Sequence, residues 1–344
     1  MTAFPTLEKL YLLKVPEIQK IFLEVMQDIV DSAMLNEMID AIEKNDPERL
    51  LRATGFSPAA LNPIIDAVEQ VYQDSAETTV ASWPKTIRTP TGLAMFRFDI
   101  RNPRAEEDLK TISSRLIAEI TEDARQNVRE ALQQGMIRGD NPRTTALNIV
   151  GRIDPITKKR TGGIVGLTQA QNGWVNNATR YLEQRDPQYF NLKLRDKRFD
   201  GVVKKAFDAG KDLSKEDVSR ITTSYKNRVL KHRADAIART ETMQTLNRGE
   251  YMANKQIVDE GLVSQSAMTK EWDDTGDGHV RPTHRALAAK YGKGNGIGLD
   301  EPFISPSGAR LMYPGDPNLG ASAAEIVNCR CRMHVRVNWL HGVE

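Results

Sequence analysis

The sequence is poor in cysteine, aromatic residues and long apolar runs. It has two cysteines in 344 residues, and aromatic residues make up 6% of the chain. Such a low aromatic content favours helices over an all-β sandwich. No apolar run approaches the roughly 20 residues of a membrane-spanning helix. Residues 1–8 lack the basic and apolar regions of a secretory signal. Synthesis in a reducing cytosol and no membrane partner are therefore expected.

The remaining composition is that of an ordinary globular protein with an uneven charge distribution. Hydrophobic residues make up 40% and charged residues 27%, and the length allows two or three domains. The net charge of +2 hides an acidic beginning, because residues 1–80 contain six Lys or Arg against fourteen Asp or Glu. Residues 193–233 contain thirteen basic against six acidic residues. The two regions are therefore expected to meet different partners.

The two cysteines lie close together near the C-terminus, as Cys329 and Cys331. In an extended strand both sulfurs would point to one face, where they suit a metal ion better than a strained bridge to each other. His279 and His284 are the nearest comparable cluster, and together the four side chains form the donor set of a structural zinc site. The alternative is that the cysteines are small buried hydrophobes and the histidines line a turn.

The pattern of apolar residues predicts a mainly helical protein ending in a small α+β lobe. Four segments are expected: an N-terminal helical unit (1–80), a proline-rich connector (81–104), a helical region (105–262) and the lobe (263–344). The N-terminal unit is expected to make few necessary contacts with the rest. The long helix of the third segment is expected to pack on an irregular lobe that contains the Cys/His cluster.

Capping residues and breakers predict where several helices begin and end. A first helix is expected from Pro16, and a later one from Glu106 to Gln134, ending at Gly135. Asn141 and Thr168 are expected to cap the next two helices. From Ser214 a helical pattern runs to about Ile257 and ends at Gly261.

The basic middle of the chain is a candidate contact for nucleic acid. Exposed lysines that neutralise phosphates would provide affinity without sequence preference. The alternative is a solvated helix surface, because acidic residues are interleaved with the basic ones. The lysines predicted to contact DNA are Lys204, Lys205, Lys226 and Lys231.

Several short motifs follow one another in the second half of the chain, and their succession resembles the Mu F-like phage head morphogenesis proteins, also called minor head or minor capsid proteins. The resemblance extends from about residue 110 to 338. The motifs lie at residues 238–242, Asn247, 272–273, 277–284, 300–303, 312–317 and 328–331.

The resemblance implies a structural virion protein of a tailed phage rather than an enzyme. Such a protein would be made in the host cytoplasm and incorporated during prohead assembly at the portal vertex, with effects on DNA packaging or ejection. Its partners would be the portal and other head proteins, with packaged DNA as a further partner and no small-molecule substrate. It would reside in the head interior or at the portal vertex.

One departure from the family pattern bears on the metal. The position of His279 is usually basic in the family, as in Asp-x-Arg-Val-Arg-x-x-His, so His279 is a weak ligand candidate. The site then rests on His284, Cys329 and Cys331. Asp277, Asp273 or water would supply the fourth ligand.

Other motif residues have predicted structural roles. Arg239 and Glu241 are expected to hydrogen-bond the irregular tail, whose loops have many backbone groups to satisfy. A rigid turn at residues 314–317 is expected to pack on the same surface. The full set of structural motif residues is Arg239, Glu241, Asn247, Arg281, Pro314 and Asp316.

Two alternative functions come from other classes. A zinc-dependent hydrolase would use His284, Asp277 and a cysteine-bound zinc to activate water. The sequence has no His-Glu-x-x-His run and no glycine-rich phosphate loop, which argues against it. A DNA-binding virion protein would use the basic middle, but no aromatic-interleaved platform accompanies those lysines.

Overall fold

The computed structural model describes residues 6–340, and this part of the chain is mainly helical. The N-terminal residues 1–5, on which part of the secretory-signal prediction rests, lie outside it. No helix in the described part is long and apolar enough to cross a membrane. The α-helices are α1 (Leu7–Asp31), α2 (Leu35–Glu43), α3 (Pro47–Ala53), α4 (Asn62–Ala81), α5 (Pro103–Arg138), α6 (Pro142–Val150), α7 (Gln169–Glu183), α8 (Asp200–Asp208), α9 (Lys215–Asp259), α10 (Pro282–Tyr291) and α11 (Ala323–Ile326).

The strands are short and form small antiparallel sheets. Within residues 6–340, three of these sheets are two-stranded hairpins, and one has three strands in the order β6-β5-β9. The mainly α fold with a small α+β lobe is thus confirmed. The strands are β1 (Ile87–Thr89), β2 (Gly92–Ala94), β3 (Arg152–Ile153), β4 (Arg160–Thr161), β5 (Met268–Asp273), β6 (Ile297–Gly298), β7 (Phe303–Ile304), β8 (Arg310–Leu311) and β9 (Arg332–Val337).

Local capping chemistry determines several helix starts. Asn141 accepts a hydrogen bond from the Thr144 amide at the start of α6. Thr168 and Gln171 form a capping box at the start of α7, each side chain bonding the other's backbone amide. Both predicted caps are confirmed. They could be predicted because a cap depends only on residues within one turn.

Two predicted helix ends are wrong. Pro16 lies inside α1, which begins at Leu7, and α5 continues through Gly135 to Arg138. A Cβ at Gly135 would lie 2.5 Å from Thr145 Oγ1. Gly135 therefore allows α6 to approach α5 closely and does not terminate the helix.

The chain forms two compact units, each built from separate stretches. The first comprises Met1–Gln19, Ile65–Ile112 and Asp235–Glu344, and the second comprises Lys20–Ile64 and Ser113–Ala234. The boundaries fall inside helices α1, α4, α5 and α9. The division into four sequence segments remains a prediction about domains.

In the first unit, the C-terminal half of α9 is buried by α4. Ser75 Oγ donates a 2.6 Å hydrogen bond to the Leu246 carbonyl. Gly249 is required at its position, since a Cβ there would lie 2.5 Å from the Tyr72 carbonyl oxygen. The expectation of few necessary contacts for residues 1–80 is therefore wrong for α4, because that helix covers the central helix of its unit.

The C-terminal lobe belongs to the same unit and is organised by β5. This strand pairs with β9 along its whole length, from Met268 opposite Val337 to Asp273 opposite Arg332. Trp272 lies at the centre of an apolar core that also contains both cysteines. The other buried members are Leu287, Tyr291, Phe303 and Leu311.

The second unit has its own core where α7, α8 and the start of α9 meet, formed by Leu182, Tyr189, Val203 and Ile221. Elsewhere in this unit Arg233 is buried, with one Nη donating to the Gly166 carbonyl and the other 2.7 Å from Asp123. A buried guanidinium with both partners in place fixes local geometry, because removing either partner would leave a polar group unsatisfied.

Candidate metal centre

Two segments of the lobe bring His284 and the two cysteines together. His284 is the third residue of α10, whose first residue is Pro282. The sequence suggested that the cysteines lie in a strand. They lie instead in an extended stretch directly before β9. Asn328, with a φ of 55°, turns the chain out of α11 into this stretch. Both cysteines are free.

The three side chains converge on one point. His284 Nδ1 lies 3.5 Å from Cys329 Sγ and 3.3 Å from Cys331 Sγ. All three ligand atoms lie within 4.8 Å of one another. Tetrahedral zinc with its usual bond lengths separates a nitrogen and a sulfur ligand by about 3.6 Å. The observed distances therefore fit a shared metal ion without rearrangement of the backbone.

A carboxylate orients the imidazole from behind. His284 Nε2 lies 2.9 Å from Glu325 Oε2. An Nε2–H that donates to Glu325 leaves the Nδ1 lone pair facing the sulfurs, which is the tautomer that a metal ligand requires. Glu325 is itself held by three hydroxyl groups, at 3.1 Å from Thr283, 3.2 Å from Ser305 and 2.6 Å from Ser307.

The cluster is buried among aromatic rings. His284, Cys329 and Cys331 are 1–3% exposed. The Trp272 ring meets the His284 ring edge-on at 5.3 Å and the Phe303 ring at 5.2 Å. These walls keep bulk water from the sulfurs.

The three side chains of the cluster also shift one another's pKa values. The pKa of Cys329 is lowered, first because Cys331 donates a hydrogen bond to it and also because His284 lies beside it. The pKa of Cys331 is raised, mainly by that same hydrogen bond. Burial lowers the pKa of His284, but the hydrogen bond and charge of Cys329 outweigh burial and raise it. A thiolate is therefore favoured at Cys329, and a thiolate is the form that binds metals.

The other predicted ligands do not join this cluster. Among the described residues, the group that closes on one point contains His284, Cys329 and Cys331 only. Asp277 Oδ1 instead accepts from Arg330 Nη2 at 2.7 Å and from the His279 amide at 2.8 Å. Asp273 Oδ2 lies 3.3 Å from His334 Nε2 on the exposed side of the sheet.

Asn247 joins the long helix to the cluster. Its Nδ2 donates to the carbonyls of Pro314 (3.0 Å) and Cys331 (3.1 Å). Its Oδ1 accepts the Met333 amide at 3.0 Å. One buried side chain on α9 thus satisfies three backbone groups of the tail, including that of a candidate ligand.

The remaining motif residues have distinct positions. Arg281 donates to the Val327 carbonyl, which fixes the turn before the cysteines. Asp316 is fully buried and accepts the amides of Met312 and Asn318 at 2.8 and 2.9 Å. Glu241 is buried, whereas Arg239 is exposed.

Two residues important to the site have no role predicted from the sequence, although Thr240 lies within the motif at residues 238–242. Thr240, between Arg239 and Glu241, accepts the Asn328 amide at 2.9 Å and so anchors the cysteine segment. Glu325 has no ligand-like spacing to His284, because 41 residues separate them. Only the tertiary fold brings its carboxylate to the imidazole.

The candidate DNA-contact lysines differ among themselves. Lys204, Lys205 and Lys231 are exposed. Lys226 Nζ instead donates to the Gly162 carbonyl at 2.9 Å, and burial lowers its pKa to about 8. Lys226 thus serves the packing of its unit, and its ammonium is not presented to a partner.

Comparison with known proteins finds a family similarity in the C-terminal part of the chain. Residues 198–334 match the model of the family described as Phage Mu protein F like protein. The match begins just before α8, contains all of α9 and ends within β9, so it includes all three candidate ligands. The resemblance to the Mu F-like family is confirmed over this segment. The search of curated proteins and the search of solved structures both gave no match.

Proposed function

We propose that the chain is a structural minor head protein of a tailed bacteriophage. It is made in the host cytoplasm and joins the prohead at the portal vertex, where it affects DNA packaging or ejection. The observation that carries this proposal is the family match over residues 198–334, which contains the whole His284–Cys329–Cys331 cluster.

The cluster's role in this proposal is to hold the lobe together with zinc. His284 Nδ1 and the two thiolates supply three of its ligands. Nitrogen and sulfur donors at these distances suit Zn²⁺, which strongly stabilises small irregular folds by linking distant segments. Here it would link α10 to the segment that enters β9.

The geometry favours this structural role over hydrolysis. A catalytic zinc needs an open coordination position that substrate can reach and a base to activate water. The three donors are 1–3% exposed. Glu325, the carboxylate next to His284, is already bonded to that ring and to the hydroxyls of Ser305 and Ser307.

The partners in this proposal are the portal and other head proteins, with packaged DNA as a second partner. Lys204, Lys205 and Lys231 are exposed and free to approach phosphates. Lys226 does not contribute to this contact, since its ammonium bonds the Gly162 carbonyl.

The test is the composition of phage particles. A phage lacking this chain is complemented with a tagged copy, and virions, proheads and isolated portals are examined by quantitative mass spectrometry and cross-linking. We expect the chain in both proheads and virions, with cross-links to the portal. A chain abundant in the lysate but missing from every particle would refute the head-protein function. Incorporation without portal cross-links would refute only the portal position.

The DNA contact is tested separately with charge reversal. The Lys204→Glu/Lys205→Glu variant should enter proheads normally but yield heads with less packaged DNA. A charge-matched variant on the acidic region, Lys20→Glu/Lys44→Glu, serves as control and should package normally. Equal DNA content in both variants would remove this contact from the account.

A further inference from the structure

The β3–β4 hairpin, residues 152–161, is a small finger with a locked tip. Asp154 Oδ1 accepts the amides of Ile156 and Thr157 at 2.9 and 2.8 Å and lies 3.2 Å from the Thr157 hydroxyl. The chain closes with the Lys158 amide on the Asp154 carbonyl, and Lys158 takes a φ of 60°. These bonds fix the six-residue loop without help from the rest of the unit.

The base of the finger is anchored to α1. The Arg160 amide donates to Asp31 Oδ1 at 2.8 Å, and its carbonyl accepts from Gln27 Nε2 at 3.0 Å. The Arg160 guanidinium also donates to the Gly151 carbonyl at 3.2 Å. The strands are therefore held rigidly while the tip projects away.

The tip exposes an apolar side chain surrounded by positive charge. Ile156 is 88% exposed, which is the highest value among the large hydrophobic residues of the described chain. Arg152, Lys158 and Lys159 are also exposed. The hairpin has one acidic residue, Asp154, and its carboxylate is turned inward onto backbone amides. A partner would thus meet an isoleucine wedge with cations on both sides and a single carboxylate, which is already bonded to backbone amides.

The charged groups near the base of the finger include further cations. Lys226, whose ammonium bonds the Gly162 carbonyl just after β4, has its pKa lowered to about 8. Burial is the main cause, and Arg152 and Arg138 add to it. Arg152 and Arg138 therefore add positive charge near the base of the finger, although Arg138 also pairs with Asp140 at 2.8 Å.

We propose that this finger binds duplex DNA and inserts Ile156 between base steps from the minor groove. The cations lie on both the incoming and outgoing sides of Ile156, as the two phosphate backbones lie on both sides of a groove. Proteins that kink DNA insert apolar wedges in this way, and β-ribbons are narrow enough to enter its grooves. An acidic protein surface would satisfy the charges, but it would not require a single isoleucine held at the tip. The proposal goes beyond the head-protein function and does not depend on it.

Affinity and its salt dependence test the charges. The intact chain is titrated against a labelled 30-base-pair duplex by fluorescence anisotropy at several salt concentrations. The Lys158→Glu/Lys159→Glu variant should bind at least tenfold more weakly at low salt, with a salt slope lower by about 2. The Lys20→Glu/Lys44→Glu variant makes the same charge change elsewhere in the unit and should bind as the wild-type chain does. If it weakens binding and the hairpin variant does not, the finger is not the site.

Bending tests the wedge itself. A duplex labelled at both ends should show increased energy transfer when the wild-type chain binds, because an inserted side chain kinks the helix. Ile156→Ala should abolish the bend while reducing affinity less than the charge reversal. Leu93→Ala, at a residue 72% exposed on the β1–β2 hairpin, should leave the bend unchanged. A bend that survives Ile156→Ala would overturn the proposal, as would equal affinity for poly-glutamate and duplex DNA. Circular dichroism verifies that each variant is folded.

Discussion

Replacing Asn247 by alanine tests how the long helix holds the tail. The amide side chain bonds the Pro314 and Cys331 carbonyls and the Met333 amide, and it is 2% exposed. Asn247→Ala leaves three buried backbone groups without their partner. Each unsatisfied buried group costs about 1–3 kcal/mol, and water entering the small vacated space would recover part of that. The expected loss of unfolding free energy is therefore about 3–5 kcal/mol.

The assay combines denaturant unfolding of the full chain with hydrogen exchange of single amides. The Met333 amide should exchange much faster in Asn247→Ala, since it loses its acceptor while the β5–β9 pairing persists. Asn177→Ala, on the exposed face of α7, is the matched control and should change stability by less than about 0.5 kcal/mol. A loss below about 1 kcal/mol in Asn247→Ala, with unchanged Met333 exchange, would refute the anchoring role.

Three further predictions concern other parts of the first unit. Lys270→Met should flatten the pH dependence of stability. Burial lowers the pKa of Lys270 to about 7, so the unfolded chain binds more protons than the folded chain between pH 7 and 10. Wild-type stability should therefore rise in that range by up to about 1.4 kcal/mol per pH unit. Gly249→Ala should destabilise by about 1–3 kcal/mol, because its Cβ would meet the Tyr72 carbonyl at 2.5 Å. Glu325→Gln should weaken zinc binding by about 10- to 100-fold, as loss of a ligand's orienting partner does.

Each of these has a control in the same chain. Lys293→Met removes an exposed ammonium of the same unit, and it should keep the wild-type rise between pH 7 and 10. Gly173→Ala, with open space around its Cβ, should be neutral or slightly stabilising. Glu216→Gln, on an exposed turn of α9, should leave zinc affinity unchanged. A pH slope that persists in Lys270→Met, a tolerated Gly249→Ala or unaltered zinc affinity in Glu325→Gln would contradict the corresponding argument.

Local features of the fold could be predicted because they depend on neighbouring residues. The caps at Asn141 and Thr168 and the helix running from about Ser214 needed only one turn or one periodic stripe to be recognised. Pro16 and Gly135 were misassigned because the same residues have other uses. A proline can lie inside a long helix that continues on both sides of it. A glycine within a helix can allow a second helix to pack closely against it.

The site was predicted only in part. Cys329 and Cys331 are conspicuous by rarity, and His284 follows from the family pattern. Glu325, Thr240 and the orienting hydroxyls could not be predicted, because their approach to the ligands is set by the packing of α10, α11 and α9. Spacing along the chain contains no information about such contacts.

Zinc content and X-ray absorption of the purified chain test the central claim most directly. We expect one zinc per chain, with two sulfur atoms at about 2.3 Å and one protein nitrogen at about 2.0–2.1 Å. Cys329→Ser/Cys331→Ser should lose the metal, whereas His279→Asn should keep it. Protein grown with ample zinc that contains none would contradict the account. So would a spectrum without sulfur ligands, or loss of the metal in His279→Asn.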